Sequence, residues 1–128
     1  MSRGLGDVYK RQVYTANLGD SRVYRYTHGA LTQLTRDHRF ALGGRHELYQ
    51  YLGASDEDTE ISPTIGKIDR VTGERLLLCT DGVSRKLSDE ELAAMLTAHP
   101  DAGDAAGAII AAVKSVATDN ATVLVVDL

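Results

Sequence analysis

Apolar and polar positions alternate through the first part of the chain, then merge into unbroken apolar runs and helical stripes. Val13 to Leu18 alternates with Tyr14, Ala16 and Leu18 on one face, the period of a half-buried strand. Arg22 to Thr27 alternates again, with Tyr24 and Tyr26 on one side. Gly19-Asp20 between them supplies turn chemistry, so the pair is expected to form a β-hairpin. His28-Gly29 marks another turn, and Ala30 to Thr35 would complete a three-stranded antiparallel meander. Asp37 to Gly53 is less regular: Gly43-Gly44 marks a loop, and Glu47 to Leu52 reads as a short helix or turn. Ile61, Pro63 and Ile65 alternate within Ile61 to Ile68, and the proline confines that strand to a sheet edge, because it cannot donate to a ladder.

The second half changes period. Glu74 to Thr80 is nearly continuous apolar sequence, as in a strand buried on both faces. Ser88-Asp-Glu-Glu91 is a capping box, and Leu92, Met95 and Leu96 give the helix after it an apolar stripe that ends at His99-Pro100. Ala105 to Ala117 predicts a second helix, with Ile109, Val113, Val116 and Ala117 on one face. Thr122 to Leu128 is apolar on both faces and is expected to be a central strand. Strands, then helices, then a strand returning to the sheet define an α+β order rather than βαβ repetition.

Composition narrows the function. The chain has 128 residues, enough for one domain. A net charge of -4 argues against a nucleic-acid footprint, which needs a basic patch. No apolar run is long enough for a membrane span. Cys79 is the single cysteine and lies within an apolar run, which predicts a buried packing thiol in a reducing compartment, taken as the cytoplasm.

The candidate chemistry is carboxylate. Asp81 follows the apolar run Leu76 to Thr80, Asp119 precedes the last strand, and Asp20 sits in Ala16-Asn-Leu-Gly-Asp-Ser-Arg22. Three acids at strand ends without a basic counter-cluster point to hard cations. Each also has a plainer reading: Asp20 as a turn residue, Asp81 as a helix-initiating acid, and Asp119 as part of a helix-exit turn. The acidic run Asp56, Glu57, Asp58 and Glu60 lacks EF-hand spacing and reads as a solvated loop.

These motifs carry a family resemblance. Ala16 to Tyr24 is similar to the "A-N-x-G-D-S-R" segment of the PPM-type (PP2C family) metal-dependent protein serine/threonine phosphatases. Gly29 to His38 is similar to their "L-T-x-D-H", Leu76 to Val83 to "L-L-x-C-S-D-G-L", and Asp119 to Val123 to "D-N-x-T-V". The resemblance covers Val13 to Leu128. It implies a four-layer αββα sandwich of two antiparallel sheets flanked by helices, with the N-terminal part missing. It implies two or three Mn²⁺ or Mg²⁺ ions, with Asp81 and Asp119 sharing one ion and Asp20, with Asp81, touching a more weakly held third. The reaction would be hydrolysis of phosphoserine or phosphothreonine by metal-activated water. The partners would be a phosphorylated protein substrate, among them a Ser/Thr kinase or its targets, with no nucleic acid and no membrane.

The departures count as well. The family's upstream acid, its "D-G-x-G-G" loop and its phosphate-gripping Arg have no counterpart before Val13, so no catalytic residue is assigned. Residues 1–12 are expected to be a non-native or disordered tail, Gly6 to Gln12 resembling translated adapter sequence, and 13–128 the C-terminal part of the domain. The isolated chain is then expected to be inactive. The alternative is a non-catalytic PPM-like module that binds a phosphorylated or regulatory partner. Arg85-Lys86 adds positive charge beside Asp81, His38 is expected to pack or hydrogen-bond rather than catalyse, and Arg22 to anchor the hairpin.

Overall fold

The computed structural model describes residues 11–42, 45–48, 62–116 and 120–128. The strands are β1 (Gln12–Asn17), β2 (Arg22–Thr27), β3 (Ala30–Gln33), β4 (Arg39–Leu42), β5 (Arg45–Leu48), β6 (Thr64–Asp69), β7 (Arg75–Cys79) and β8 (Val123–Asp127). Among the described residues the helices are α1 (Asp81–Ser84), α2 (Asp89–Ala98) and α3 (Ala102–Lys114). A four-stranded antiparallel sheet runs β3-β2-β7-β8, while β1 pairs with β6 and β4 with β5, also antiparallel. This is the expected α+β class.

Local chemistry explains the connections. Thr27 pairs with Ala30 across a two-residue loop, and His28 (φ 48°) and Gly29 (φ 82°) both adopt the positive φ that a type I′ hairpin loop requires. The Ser88 hydroxyl accepts from the Glu91 N–H at 3.2 Å and the Ser88 N–H donates to Glu91 Oε1 at 3.4 Å, completing the capping box. Asp101 caps α3 by accepting from the Asp104 N–H at 3.0 Å.

The core lies between the four-stranded sheet and the two longer helices. Tyr24, Leu77 and Cys79 face Leu92 and Leu96 of α2 and Ala105, Ile109 and Val113 of α3, all buried. Each large apolar side chain withdrawn from water here contributes about 1.5–3 kcal/mol. Two buried charges frame the sheet. Glu74 accepts from Arg25 Nη2 at 2.7 Å and Nε at 2.8 Å, and from the Thr27 hydroxyl. Arg75 donates to the carbonyls of Leu96 (3.1 Å), His99 (2.8 Å) and Pro100, and to Asp127 Oδ1 at 2.8 Å.

Several expectations change. β1 and β2 form no hairpin: β1 pairs with β6 and β2 with β3 and β7, so Gly19 (φ 115°) turns the chain from one sheet into another. Alternation reveals a strand but not its partner. β8 is not central among the described residues. It pairs with β7 alone, and Leu124 is 55% exposed. Glu47 and Leu48 lie in β5 rather than a helix or turn, and the rest of that segment, 49–52, lies outside the described residues. The helix expected from Ala105 begins at Ala102 because Asp101 caps it, and it ends at Lys114, leaving Val116 exposed. Among the described residues β6 does lie at an edge, starting at Thr64 and pairing with β1 alone. β1 starts at Gln12, with the Arg11 carbonyl accepting from the Arg70 N–H. The remaining expectations, on the tail at 1–10, Gly43-Gly44, the acidic run at 55–60, Ile61, Ala117 and Asp119, fall outside the described residues.

Candidate metal centre

The Asp20 turn is strapped to the segment that follows β3. Asn17 Nδ2 donates to the Arg36 carbonyl at 2.8 Å. The His38 N–H donates to the Gly19 carbonyl at 2.8 Å, and the Gly19 N–H donates back to His38 Nδ1 at 3.0 Å. Arg22 grips Asp37 with two nitrogens, Nη2 to Oδ2 at 2.7 Å and Nε to Oδ1 at 3.0 Å. The "A-N-x-G-D-S-R" and "L-T-x-D-H" motifs are therefore two halves of one clip. Arg22 also donates to the Tyr24 hydroxyl at 2.8 Å. Its bond to Asp37 holds its pKa above the ordinary guanidinium value, and burial pushes the Tyr24 phenol up to about 12 against Arg22's opposing pull. Arg22 thus anchors structure, though between β2 and the segment after β3 rather than within a hairpin.

Asp81 opens α1 at the C-terminal end of β7, with Thr80 at the N-cap. The β7 end is locked to the approach to β8: the Thr80 N–H donates to the Thr122 carbonyl at 3.1 Å, and the Thr122 N–H to Thr80 Oγ1 at 3.0 Å. Gly82 permits this contact. A Cβ there would overlap the Asn120 carbonyl oxygen and lie 3.2 Å from Ala121 Cα. Arg85, one turn on, holds Nε 3.8 Å from Asp81 Oδ2, a long and partly exposed pair. Cys79 is a buried free thiol, pushed up to about 11 by burial, and so is a packing group.

These elements meet at one cleft of about 380 Å³. Its lining includes Asn17, Leu18 and Ser21 from around Asp20, Thr80 from beside Asp81, and Thr122 from the approach to β8. Asn17 Oδ1 is buried there without a hydrogen-bond donor among the described residues. Of the three acids singled out in the sequence, Asp20 and Asp81 flank this cleft in sequence through Ser21 and Thr80, and Asp119 lies outside the described residues. Carboxylate oxygens are the donor type that a hard cation takes. The donor count does not yet make a cage: among the described residues no three His, Cys, Asp or Glu side chains converge. Asp37 and Thr122 were missed in the sequence. The Asp37 signal was present, an acid in the second motif positioned to answer the arginine of the first.

The serine/threonine protein phosphatase PstP of Mycobacterium tuberculosis is 32% identical over 123 residues, covering 87% of this chain and 24% of PstP. Among solved structures, PppA, a key regulatory component of the T6SS in Pseudomonas aeruginosa, superposes with a TM-score of 0.80 at 28% identity, covering 90% of this chain and 51% of PppA. The PstP catalytic domain in complex with two manganese ions gives a TM-score of 0.71 at 28% identity, covering 91% and 54%. No protein-family model matches. In sequence and fold the chain is a relative of the PPM-type (PP2C) serine/threonine phosphatases, as its motifs implied, and it spans about half the length of these solved relatives.

Proposed function

We propose that the chain is the C-terminal portion of a metal-dependent protein phosphatase domain that hydrolyses phosphoserine and phosphothreonine, with Asp20, Asp81 and Asp119 contributing ligands to Mn²⁺ or Mg²⁺. The observation that carries this reading is the shared cleft, where the surroundings of Asp20, the end of β7 and the approach to β8 meet. A bound divalent cation would supply Lewis acidity to polarise phosphoryl oxygens and acidify water. The chain's own residues hold carboxylates on rigid strand ends: the clip fixes the Asp20 turn, and the Thr80–Thr122 bonds fix the Asp81 end. The substrates would be phosphorylated proteins, including a Ser/Thr kinase or its targets. A cytoplasmic location is consistent with the unpaired Cys79.

The bridging acid that the resemblance assigns to an upstream segment has no counterpart in this sequence, so the isolated chain is proposed to be inactive. The purified 128-residue chain should show no Mn²⁺-stimulated hydrolysis of an aryl phosphate or phosphopeptide; clear turnover would sink this part of the reading. In a longer protein that contains the upstream half, Asp81→Ala or Asp119→Ala should abolish turnover, and Asp20→Ala should cost less. A near-normal rate in Asp81→Ala refutes the ligand assignment.

Arg85 beside Asp81 favours a second reading, a non-catalytic module that docks a phosphorylated partner. Metal-independent binding of a phosphopeptide, lost in Arg85→Gln, would move the weight there.

A further inference from the structure

We propose that His38 is a positioning residue for Asp20, an inference that rests on the metal reading above. Gly19, the residue before Asp20, has both backbone groups committed to this one residue. Its carbonyl accepts from the His38 N–H at 2.8 Å, and its N–H donates to His38 Nδ1 at 3.0 Å. His38 is 1% exposed, and the far nitrogen of its ring, Nε2, lies 2.8 Å from Thr64 Oγ1 at the start of β6. Because Nδ1 accepts from Gly19, a neutral ring carries its proton on Nε2, which then donates to Thr64. One imidazole therefore fixes the turn against β6 in a single orientation.

Gly19 is where this matters. At φ 115° it occupies backbone space that other residues rarely enter, and it sets the direction in which Asp20 leaves the turn. Asn17 and Arg22 strap the turn on either side, but neither touches Gly19 in these bonds. Removing the imidazole leaves the outer straps and the backbone bond from the His38 N–H, but takes away the acceptor of the Gly19 N–H and the tie to Thr64. A carboxylate that must stay aimed at a weakly held cation loses most from that freedom.

The test uses the full 128-residue chain, ¹⁵N-labelled and titrated with Mn²⁺, reading paramagnetic broadening of the amides of residues 19–21 and separately of 80–83. In the wild type both sets broaden. In His38→Leu the concentration needed at 19–21 should rise about tenfold while that at 80–83 is unchanged. His38→Asn, which keeps an acceptor near the Nδ1 position, should restore most of the loss. If His38→Leu fails to fold, as a thermal melt shows, Thr64→Val carries the test: it removes only the ring's far partner and should raise the concentration at 19–21 at least about twofold. Broadening at 19–21 that is unchanged in the folded variant overturns the role of His38 alone. No broadening anywhere in the wild type overturns the premise that this chain's own carboxylates hold a cation, and this inference with it.

Discussion

The four-stranded sheet and the β1–β6 pair are written in the same alternating code, yet the Tyr24–Leu77 face of one is fully covered while the Tyr14–Ile65 face of the other is open. In the larger sheet Tyr24 and Leu77 are fully buried under α2 and α3. In the smaller one Tyr14 and Ile65 are each 68% exposed. Ala16 and Ile65 are register partners, so these side chains share one face, and that face looks outward. Alternation is thus a statement about what a strand can bury, and a second layer decides whether it does. β8 sits between the two cases: Val123 and Val125 pack against the helical core while Leu124, on the other face, is mostly exposed.

The comparison can be broken at its strongest points first. Leu77→Ala, in the covered core, should cost about 3 kcal/mol in urea unfolding. Gly82→Ala should cost about as much, roughly 3 kcal/mol, because the new methyl meets backbone that cannot step aside. An unchanged urea midpoint for Gly82→Ala would show that the β7 end and the approach to β8 are not held as described. Ser88→Ala should cost about 1 kcal/mol through loss of the α2 cap, read in the same titration.

A pH-dependent effect of smaller size follows from Glu74. Its bonds to Arg25 and Thr27 hold its carboxyl below the ordinary carboxylate value. The folded state then binds fewer protons than the unfolded chain wherever the two values differ. The stabilisation is complete above the ordinary glutamate range and is lost as pH falls through the lowered folded value. Thermal melts from pH 7 to 3 should show this slope in the wild type and a shallower one in Glu74→Gln; parallel profiles count against the assignment. Smallest of all, Ile65→Thr should leave stability within about 0.5 kcal/mol, sharpening the contrast with Leu77. On the open face of β8, Leu124→Lys should likewise leave the melting temperature in place while reducing any concentration-dependent association seen by size-exclusion chromatography.

Much of this was legible in the residues. The β7 run, the capping box at Ser88 and the His28-Gly29 hairpin are local signals, and they held because local chemistry decides them. The β1–β2 hairpin failed because Gly19-Asp20 looks like any tight turn; only the His38 and Asp37 partners far along the chain show that it changes sheets. The apolar faces of β8 suggest a central strand, but an edge is defined by what lies beside it. The acids were visible as strand-end carboxylates. The close approach at Gly82 and the Thr80–Thr122 bonds that bring two strand ends together belong to packing, which periodicity does not encode.

Arg75 has a kinetic consequence. Its guanidinium reaches the carbonyls of Leu96, His99 and Pro100 at the end of α2 and the carboxylate of Asp127 in β8, while its backbone belongs to β7. A fluctuation that lifts the end of α2 strips a buried cation of most of its acceptors at once. Such an opening has no inexpensive halfway point. The last turn of α2 and the end of β8 should therefore exchange their amide hydrogens with solvent as one cooperative unit, although nearly thirty residues separate them in the sequence.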